Sequence, residues 1–280
     1  MISGKTALAL VAALCLAGTA CKPSSQMNLS TAALLLRAQS GNKEAQYTLG
    51  SRYFFGDGVL SVHKQAARWL QLSAKKGHSK AESLLGALYI DGDGVPQNTD
   101  LGLALLRKGA ESGDASAQCA LGLVLIRGGA FPSNPDEGYK WFKRSADQGF
   151  PFGEYFLGAC YREGWGVAKD SQKTFEFILA AATNGCSAAQ CDVGRSYLTG
   201  EMVQKDSREA FRWFNKAACV GDPSGEFNVG KCYQLGIGVT RDLGEAKIWF
   251  QKSYRHGNAK AYSELSEDNK PQTNLVGRLP

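Results

Sequence analysis

The stretch Ala81-Glu-Ser-Leu-Leu-Gly86-Ala-Leu-Tyr89-Ile-Asp-Gly92-Asp-Gly94-Val95 decides the fold. Ala81, Leu85 and Tyr89 stand at i, i+4 and i+8, which is one stripe of an α-helix, and the glycines that follow end it in a turn. The phrase recurs as Ala45 to Tyr53 and Ala189 to Tyr197, and its central glycine recurs at Gly50, Gly86, Gly122, Gly158, Gly194 and Gly230, each 36 residues after the last. A second ladder, Gly41, Gly77, Gly113, Gly149, Gly185, Gly221 and Gly257, keeps the same step. No insertion separates one unit from the next. Such a period predicts an all-α fold, a right-handed α/α superhelical solenoid of stacked 36-residue helix-turn-helix repeats.

The stretch quoted is helix A of one unit. Helix B carries the pairs Trp69-Leu70, Leu105-Leu106, Trp141-Phe142, Phe177-Ile178, Trp213-Phe214 and Trp249-Phe250, followed by Ala74, Ala110, Ala146, Ala182 and Ala218. Large residues facing small ones mark a buried stripe. Asn98, Asn134, Asp170, Asp206 and Asp242 precede helix B as N-caps, and Glu137, Glu209 and Glu245 three residues on complete the pattern of a capping box. Gln46, Glu82, Gln118, Glu154, Gln190 and Glu226 are read as caps early in helix A. Asn28 to Ser40 reads as a lone helix B, Ala261, Tyr262 and Leu265 begin a seventh helix A, and the solenoid spans 29–268 with six full repeats between two halves, ahead of a tail at 269–280.

Met1 to Ala20 has one lysine, Lys5, an apolar run from Ala7 to Ala17 and small residues before Cys21, the pattern of a secretory signal peptide over 1–20. Gly18-Thr19-Ala20-Cys21 resembles a bacterial lipobox with glycine in place of its usual leucine. That resemblance implies acylation of Cys21, a tether at 21–28 and, with Lys22 next in the chain, a periplasmic place on the outer membrane. Plain cleavage after Ala20 fits the same residues.

The shared consensus A-x-x-x-L-G-x-x-Y-x-x-G-x-G-V, then K-A-x-x-W-F-x-K-A-A-x-x-G, resembles the Sel-one-like repeat (SLR), a relative of the tetratricopeptide repeat. Leu85-Gly86, Tyr89, Gly92, Gly94-Val95, Ala210, Trp213-Phe214, Lys216-Ala217-Ala218 and Gly221 carry the likeness. Gly128-Gly129-Ala130-Phe131 and Gly200-Glu201-Met202-Val203 lack the second glycine of G-x-G-V, and differently shaped turns are expected there. Within that family the implied roles are envelope adaptors, host-interaction factors and periplasmic immunity proteins that block secreted antibacterial effectors such as phospholipases. A second implied class, drawn from cysteine-rich members, is a β-lactam-binding or β-lactamase-like protein.

Of eight cysteines, Cys15 falls in the signal and Cys21 in the lipobox. The even remainder, Cys119, Cys160, Cys186, Cys191, Cys219 and Cys232, suggests disulfides in an exported chain. Cys119 with Cys160 and Cys191 with Cys232 would staple neighbouring A helices, against an offset of five residues or about 7.5 Å. Cys191 with Cys219 is the pairing the cysteine-rich branch implies.

Catalytic chemistry is not evident. His63, His78 and His256 are read as solvated, no S-x-x-K or G-x-S-x-G nucleophile pattern occurs, and no metal or other cofactor is expected. Formal net charge is +6, one unit of it from Lys5. That is too mild for a nucleic-acid partner. The remaining candidate is the solvated face of helix A, lining a concave groove: Tyr47, Phe54, Phe55, Asp91, Leu123, Arg127, Tyr155, Arg162, Glu163, Arg195, Phe227, Lys231 and Gln234. Aromatics interleaved with cations suit an acidic protein partner, a secreted effector or an envelope component. The chain is expected not to be an enzyme, and to touch the membrane only through acylated Cys21.

Overall fold

A computed structural model describes residues 31–57, 59–129 and 131–267. The expected signal peptide, Cys21, the tether, the first residues of the lone helix B and the tail lie outside the described residues. All elements within them are helical: α1 Thr31–Gln39, α2 Lys43–Phe55, α3 His63–Ala74, α4 Ser79–Asp91, α5 Thr99–Glu111, α6 Ala115–Arg127, α7 Pro135–Ala146, α8 Pro151–Glu163, α9 Ser171–Thr183, α10 Ser187–Thr199, α11 Ser207–Cys219, α12 Pro223–Leu235, α13 Leu243–Arg255 and α14 Lys260–Glu267. The chain divides into two compact units at Asp170.

In the first unit α1 is the lone helix B, and α2–α3, α4–α5 and α6–α7 are complete hairpins, with α8 packed on α7. Each helix A lies against the next one, α4 against α6 and α6 against α8. The core is built from Leu70, Leu84, Leu88, Leu106, Leu121 and Trp141, among others. In the second unit α9 packs on α10, and the hairpins α10–α11 and α12–α13 are followed by the half repeat α14. Phe214, Val229 and Cys232 form one cluster there, and Ala246, Phe250 and Ala261 form another. Tyr254 and Tyr262 remain half exposed at the terminal hairpin, rings 5.6 Å apart, where no complete unit follows.

Steric need explains the glycine ladders. A methyl group on Gly86 would lie 2.6 Å from the carbonyl oxygen of Gly102 in the facing helix, and one on Gly122 would lie 2.9 Å from the Phe142 ring. The second member of each helix B pair fills the groove its ladder glycine opens: Leu70, Leu106, Phe142, Phe214 and Phe250 are all buried. The first member is capped by a cation one turn on, with Arg144 over Trp141 (4.6 Å), Lys216 over Trp213 (3.6 Å) and Lys252 over Trp249 (4.0 Å). The second glycine of G-x-G-V is also a close approach. A side chain on Gly166 would meet the Pro135 carbonyl at 2.6 Å, and one on Gly94 would meet His63.

Three sequence expectations are corrected. The capping boxes form only half of their bonds. Asn134, Asp206 and Asp242 accept from the amides of Glu137, Glu209 and Glu245, but their own amides already donate to Leu125, Tyr197 and Tyr233 across the turn. The glutamates are thereby released: Glu137 forms a two-point pair with Arg107 of α5 and accepts from Trp141.

The early Gln and Glu residues of helix A are not caps either. Gln46, Gln118 and Gln190 are buried and donate to the carbonyls of Ala38, Ala110 and Ala182 in the preceding helix B, at 3.0, 3.2 and 3.0 Å. A carboxylate has no proton to donate, so Glu82 and Glu226 reach forward instead, to Lys108 (2.7 Å) and His256 (2.8 Å). The amide thus ties helix A to the helix B before it, and the acid ties helix A to the helix B that follows; Gln118 does both, since its oxygen also accepts from Gln148 at 2.8 Å.

The two turns lacking a second glycine differ from one another. Gly200 keeps the left-handed cap conformation (φ 79°, ψ 17°), whereas Gly128 takes φ 63°, ψ −141°. Only the second of these departs from the cap geometry of the other A helices.

Candidate protein-binding surface

Helix A is more deeply covered than a single helical wheel suggests. In α4, every residue from Ala81 to Leu88 is buried, because the B helices α3 and α5 and the next helix A, α6, all pack against it. Tyr47 is buried as well, 4% exposed, with its ring stacked 4.5 Å from that of His78. This corrects its place on a solvated face. Phe54 is half-buried and stacks on His63 at 4.9 Å, and Leu123 is half-buried.

Of the expected face, what stays accessible in the first unit is the C-terminal end of each helix A, while Lys43 and Glu44 at the start of α2 are exposed as well. Phe55, Asp91, Arg127 and Glu163 occupy one register position in α2, α4, α6 and α8; Phe55 and Glu163 are exposed, Asp91 and Arg127 half-buried. Arg162 lies beside Glu163 and donates to it at 3.0 Å. Tyr155 is half-buried, edge-on to Phe156 at 5.5 Å.

In the second unit Arg195 of α10 is exposed and paired with Asp192 at 3.1 Å. Lys231 of α12 bonds Glu264 at 2.7 Å and Gln234 at 3.0 Å, and its ammonium stands 5.9 Å from the Phe227 ring. Phe227 itself leans on Phe250, ring centres 5.6 Å apart. The expectation of a cationic groove for an acidic partner is corrected by these contacts. Arg162, Arg195 and Lys231 each face a carboxylate of their own unit, so the surface is charge-mixed.

The histidines are not merely solvated. His63 bonds Asp93 of the next repeat at 2.7 Å, and His256 bonds Glu226 at the start of helix A of its own repeat at 2.8 Å. His78 is 8% exposed, caps α4 by accepting from the Ala81 amide at Nδ1 (3.2 Å), and meets Glu44 at 2.9 Å through Nε2. That hydrogen bond is the main reason the Glu44 carboxyl titrates below the usual carboxylate range. A cleft of about 300 Å³ opens here, lined by Lys43, Glu44, Tyr47, His78, Lys80 and Asp114.

All six described cysteines are thiols joined in no disulfide, five of them buried and Cys219 exposed. The expected pairings are therefore not present, and the axial offset between the two A-helix positions is the physical obstacle for the first scheme. Burial pushes the thiols of Cys160, Cys191 and Cys232 up to about 12, and that of Cys186 to about 11. They are unreactive small core residues.

Sequence reasoning missed Leu60 and Val62, which are 87% and 41% exposed in the turn between α2 and α3. The signal was available: Val62 stands where other units place Asn or Asp.

Six consecutive segments, 43–78, 79–114, 115–150, 151–186, 187–222 and 223–258, match the Sel1 repeat. Among solved structures the chain is similar to c5321, a protective antigen present in uropathogenic Escherichia coli strains displaying an SLR fold, with 32% identity, a TM-score of 0.63 and coverage of 86% of this chain. It spans about half that protein's length, 51%. A Sel1 repeat protein from Oxalobacter formigenes is 24% identical with a TM-score of 0.65, covering 88% of this chain and 96% of its own. The immunity protein Pa5087 from Pseudomonas aeruginosa is 17% identical with a TM-score of 0.56, covering 90% and 91%. No curated protein matches the chain in sequence. With every unit from Lys43 to Asn258 matched in one unbroken register, the chain belongs to the Sel1 repeat family.

Proposed function

We propose that this chain is a non-enzymatic binding module that holds a protein partner against the ends of its A helices, as an immunity protein does with a secreted antibacterial effector. We further propose that it is exported and anchored to the outer membrane through acylated Cys21. The observation that carries the binding role is one register position. Phe55, Asp91, Arg127 and Glu163 in the first unit differ in size and charge from repeat to repeat, while the residue after each is always glycine, at Gly56, Gly92, Gly128 and Gly164. In a repeat array the constant positions serve packing, and an accessible row that changes with every unit is where recognition is written. Two further observations support the reading. The three histidines are engaged in a helix cap and in braces within and between repeats, and burial holds four thiols far from their reactive form. The same scaffold is that of the immunity protein Pa5087.

The test is a crosslinking pull-down from native envelopes, comparing the natural chain with an Asp91→Arg, Arg127→Glu, Glu163→Arg variant. One stoichiometric partner, lost in the variant, is the expected result. A partner retained by the variant contradicts the assignment of the surface, and no partner in either sample contradicts the function.

A further inference from the structure

The first complete hairpin differs from the others in two ways that converge on one place. Its turn between α2 and α3 exposes Phe55 (42%), Leu60 (87%) and Val62 (41%). At the same three positions the other turns carry Asp91, Pro96 and Asn98; Arg127, Pro132 and Asn134; Glu163, Ala168 and Asp170; Thr199, Gln204 and Asp206; Leu235, Thr240 and Asp242. Asn98, Asn134, Asp206 and Asp242 each cap the following helix, and Val62 makes no side-chain cap bond. An exposed apolar residue stands where a capping group stands in the other turns.

Charge is concentrated in the same hairpin. Residues 31–78 hold seven Lys and Arg against two acids, Glu44 and Asp57, whereas residues 79–267 hold 21 against 23. Lys64 and Arg68, one turn apart on α3, are both exposed directly behind the apolar turn. Asp93 of the next repeat is bonded to His63, the residue beside Lys64. The chain also enters at this end. Thr31, the first residue of α1, accepts from Arg52 at 3.4 Å, and Arg52 lies one turn before Phe55. Ten peptide steps separate Cys21 from Thr31, a reach of at most about 36 Å.

We infer that this turn is a docking surface for an anionic bilayer, with Leu60 and Val62 entering the interface and Lys64 and Arg68 meeting lipid phosphates. Apolar side chains at a protruding tip, backed by basic residues, bind such a surface through buried apolar area and electrostatic attraction together. The contact does not depend on acylation of Cys21. It goes beyond the binding role proposed above, and orients the A-helix ends with respect to the membrane that a lipid anchor would only tether.

The experiment is co-sedimentation of the full chain carrying Cys21→Ser, which removes the candidate acylation site, with vesicles of phosphatidylglycerol and phosphatidylethanolamine or of phosphatidylcholine alone. Binding is expected to the first and not the second, and to weaken as salt is raised. Removing the charge of Lys64 and Arg68 by Gln is expected to lower partitioning about fivefold per residue. Leu60→Asp, at an exposed site where folding is not at stake, is expected to lower it further. Val62→Asn separates binding from folding, since it restores a cap and is expected to raise the unfolding temperature while weakening vesicle binding. Failure to bind anionic vesicles, or binding unchanged in Leu60→Asp and in the Lys64, Arg68 variant, overturns the inference. So does a protein partner lost in those variants with vesicle binding intact, which would assign the turn to protein recognition.

Discussion

Gly86→Ala is the substitution for which helix propensity and packing give opposite signs. In an isolated helix, alanine for glycine stabilises by about 1 kcal/mol. In α4, the added methyl would sit 2.6 Å from the carbonyl oxygen of Gly102 and 3.0 Å from Leu106 Cγ. A carbon–oxygen contact wants about 3.3 Å, so the two helices must part by roughly 0.7 Å, a gap that forfeits a quarter to a half of each dispersion contact along the crossing. The first obstacle is backbone, which cannot rotate away, and α4 is buried on every side at this level. Overpacking of this kind costs about 3 kcal/mol at its upper range. The net expectation is a loss of about 2 kcal/mol, or a fall in unfolding temperature of roughly 4–8 °C. Gly50→Ala is the control: its methyl meets Leu70 Cγ at 2.9 Å and Cδ2 at 3.1 Å, side-chain atoms that can give, and the change is expected within about 1 kcal/mol of the natural chain. Thermal and urea unfolding followed by circular dichroism reads both. A Gly86→Ala chain as stable as the natural one, or no worse than Gly50→Ala, would refute the steric account of the ladder.

Further outcomes follow from the same contacts. Gln118→Glu removes the proton donated to Ala110 and places a carboxylate in a buried site, so a loss of about 2 kcal/mol is expected in urea unfolding, whereas Thr48→Gln on an outer position should change little. Arg107 holds the Glu137 carboxyl below the usual carboxylate range. A depressed carboxyl contributes stability above its unfolded value and loses it as pH falls through the folded value. The natural chain should therefore lose more stability than Arg107→Gln between neutrality and the pH range below about 4, by at most about 1 kcal/mol for so accessible a pair. Alkylation of the native chain at mildly basic pH should label Cys219 and spare Cys160, Cys186, Cys191 and Cys232 until the chain unfolds, as peptide mass mapping will read; native labelling of the buried four would contradict their packing.

The fold was legible because the repeat is enforced by sterics. A glycine every 36 residues says where two helices must touch, and at Gly50, Gly86, Gly122, Gly194 and Gly230 a buried Leu or Phe makes the contact. The errors share one cause, which is competition for the same atoms. Glu137 looks like half of a capping box until the turn bond from Asn134 to Leu125 takes the amide that it would have reached. Gln46 looks like a cap until the stacking of helix B leaves the carbonyl of Ala38 as the nearer acceptor. Tyr47 looks solvated on one helical wheel, yet a solenoid covers helix A from several directions, and His78 at the end of the hairpin lies flat on the Tyr47 ring. The cations Arg195 and Lys231 were legible as a set but their carboxylates, Asp192 and Glu264, were not, because the second of these pairs joins residues of successive repeats. Val62 was legible in the alignment of the units against one another, as the one helix B start with a β-branched residue in place of Asn or Asp.

A photo-crosslinking amino acid placed in turn at Asp91, Arg127 and Glu163, and as controls at Lys140 and Arg212 on the exposed side of B helices, tests the binding surface most directly in native envelopes. The account predicts one adduct of constant mass from the three A-helix ends and none from the controls. Adducts from the B helices with the A-helix ends silent would contradict it.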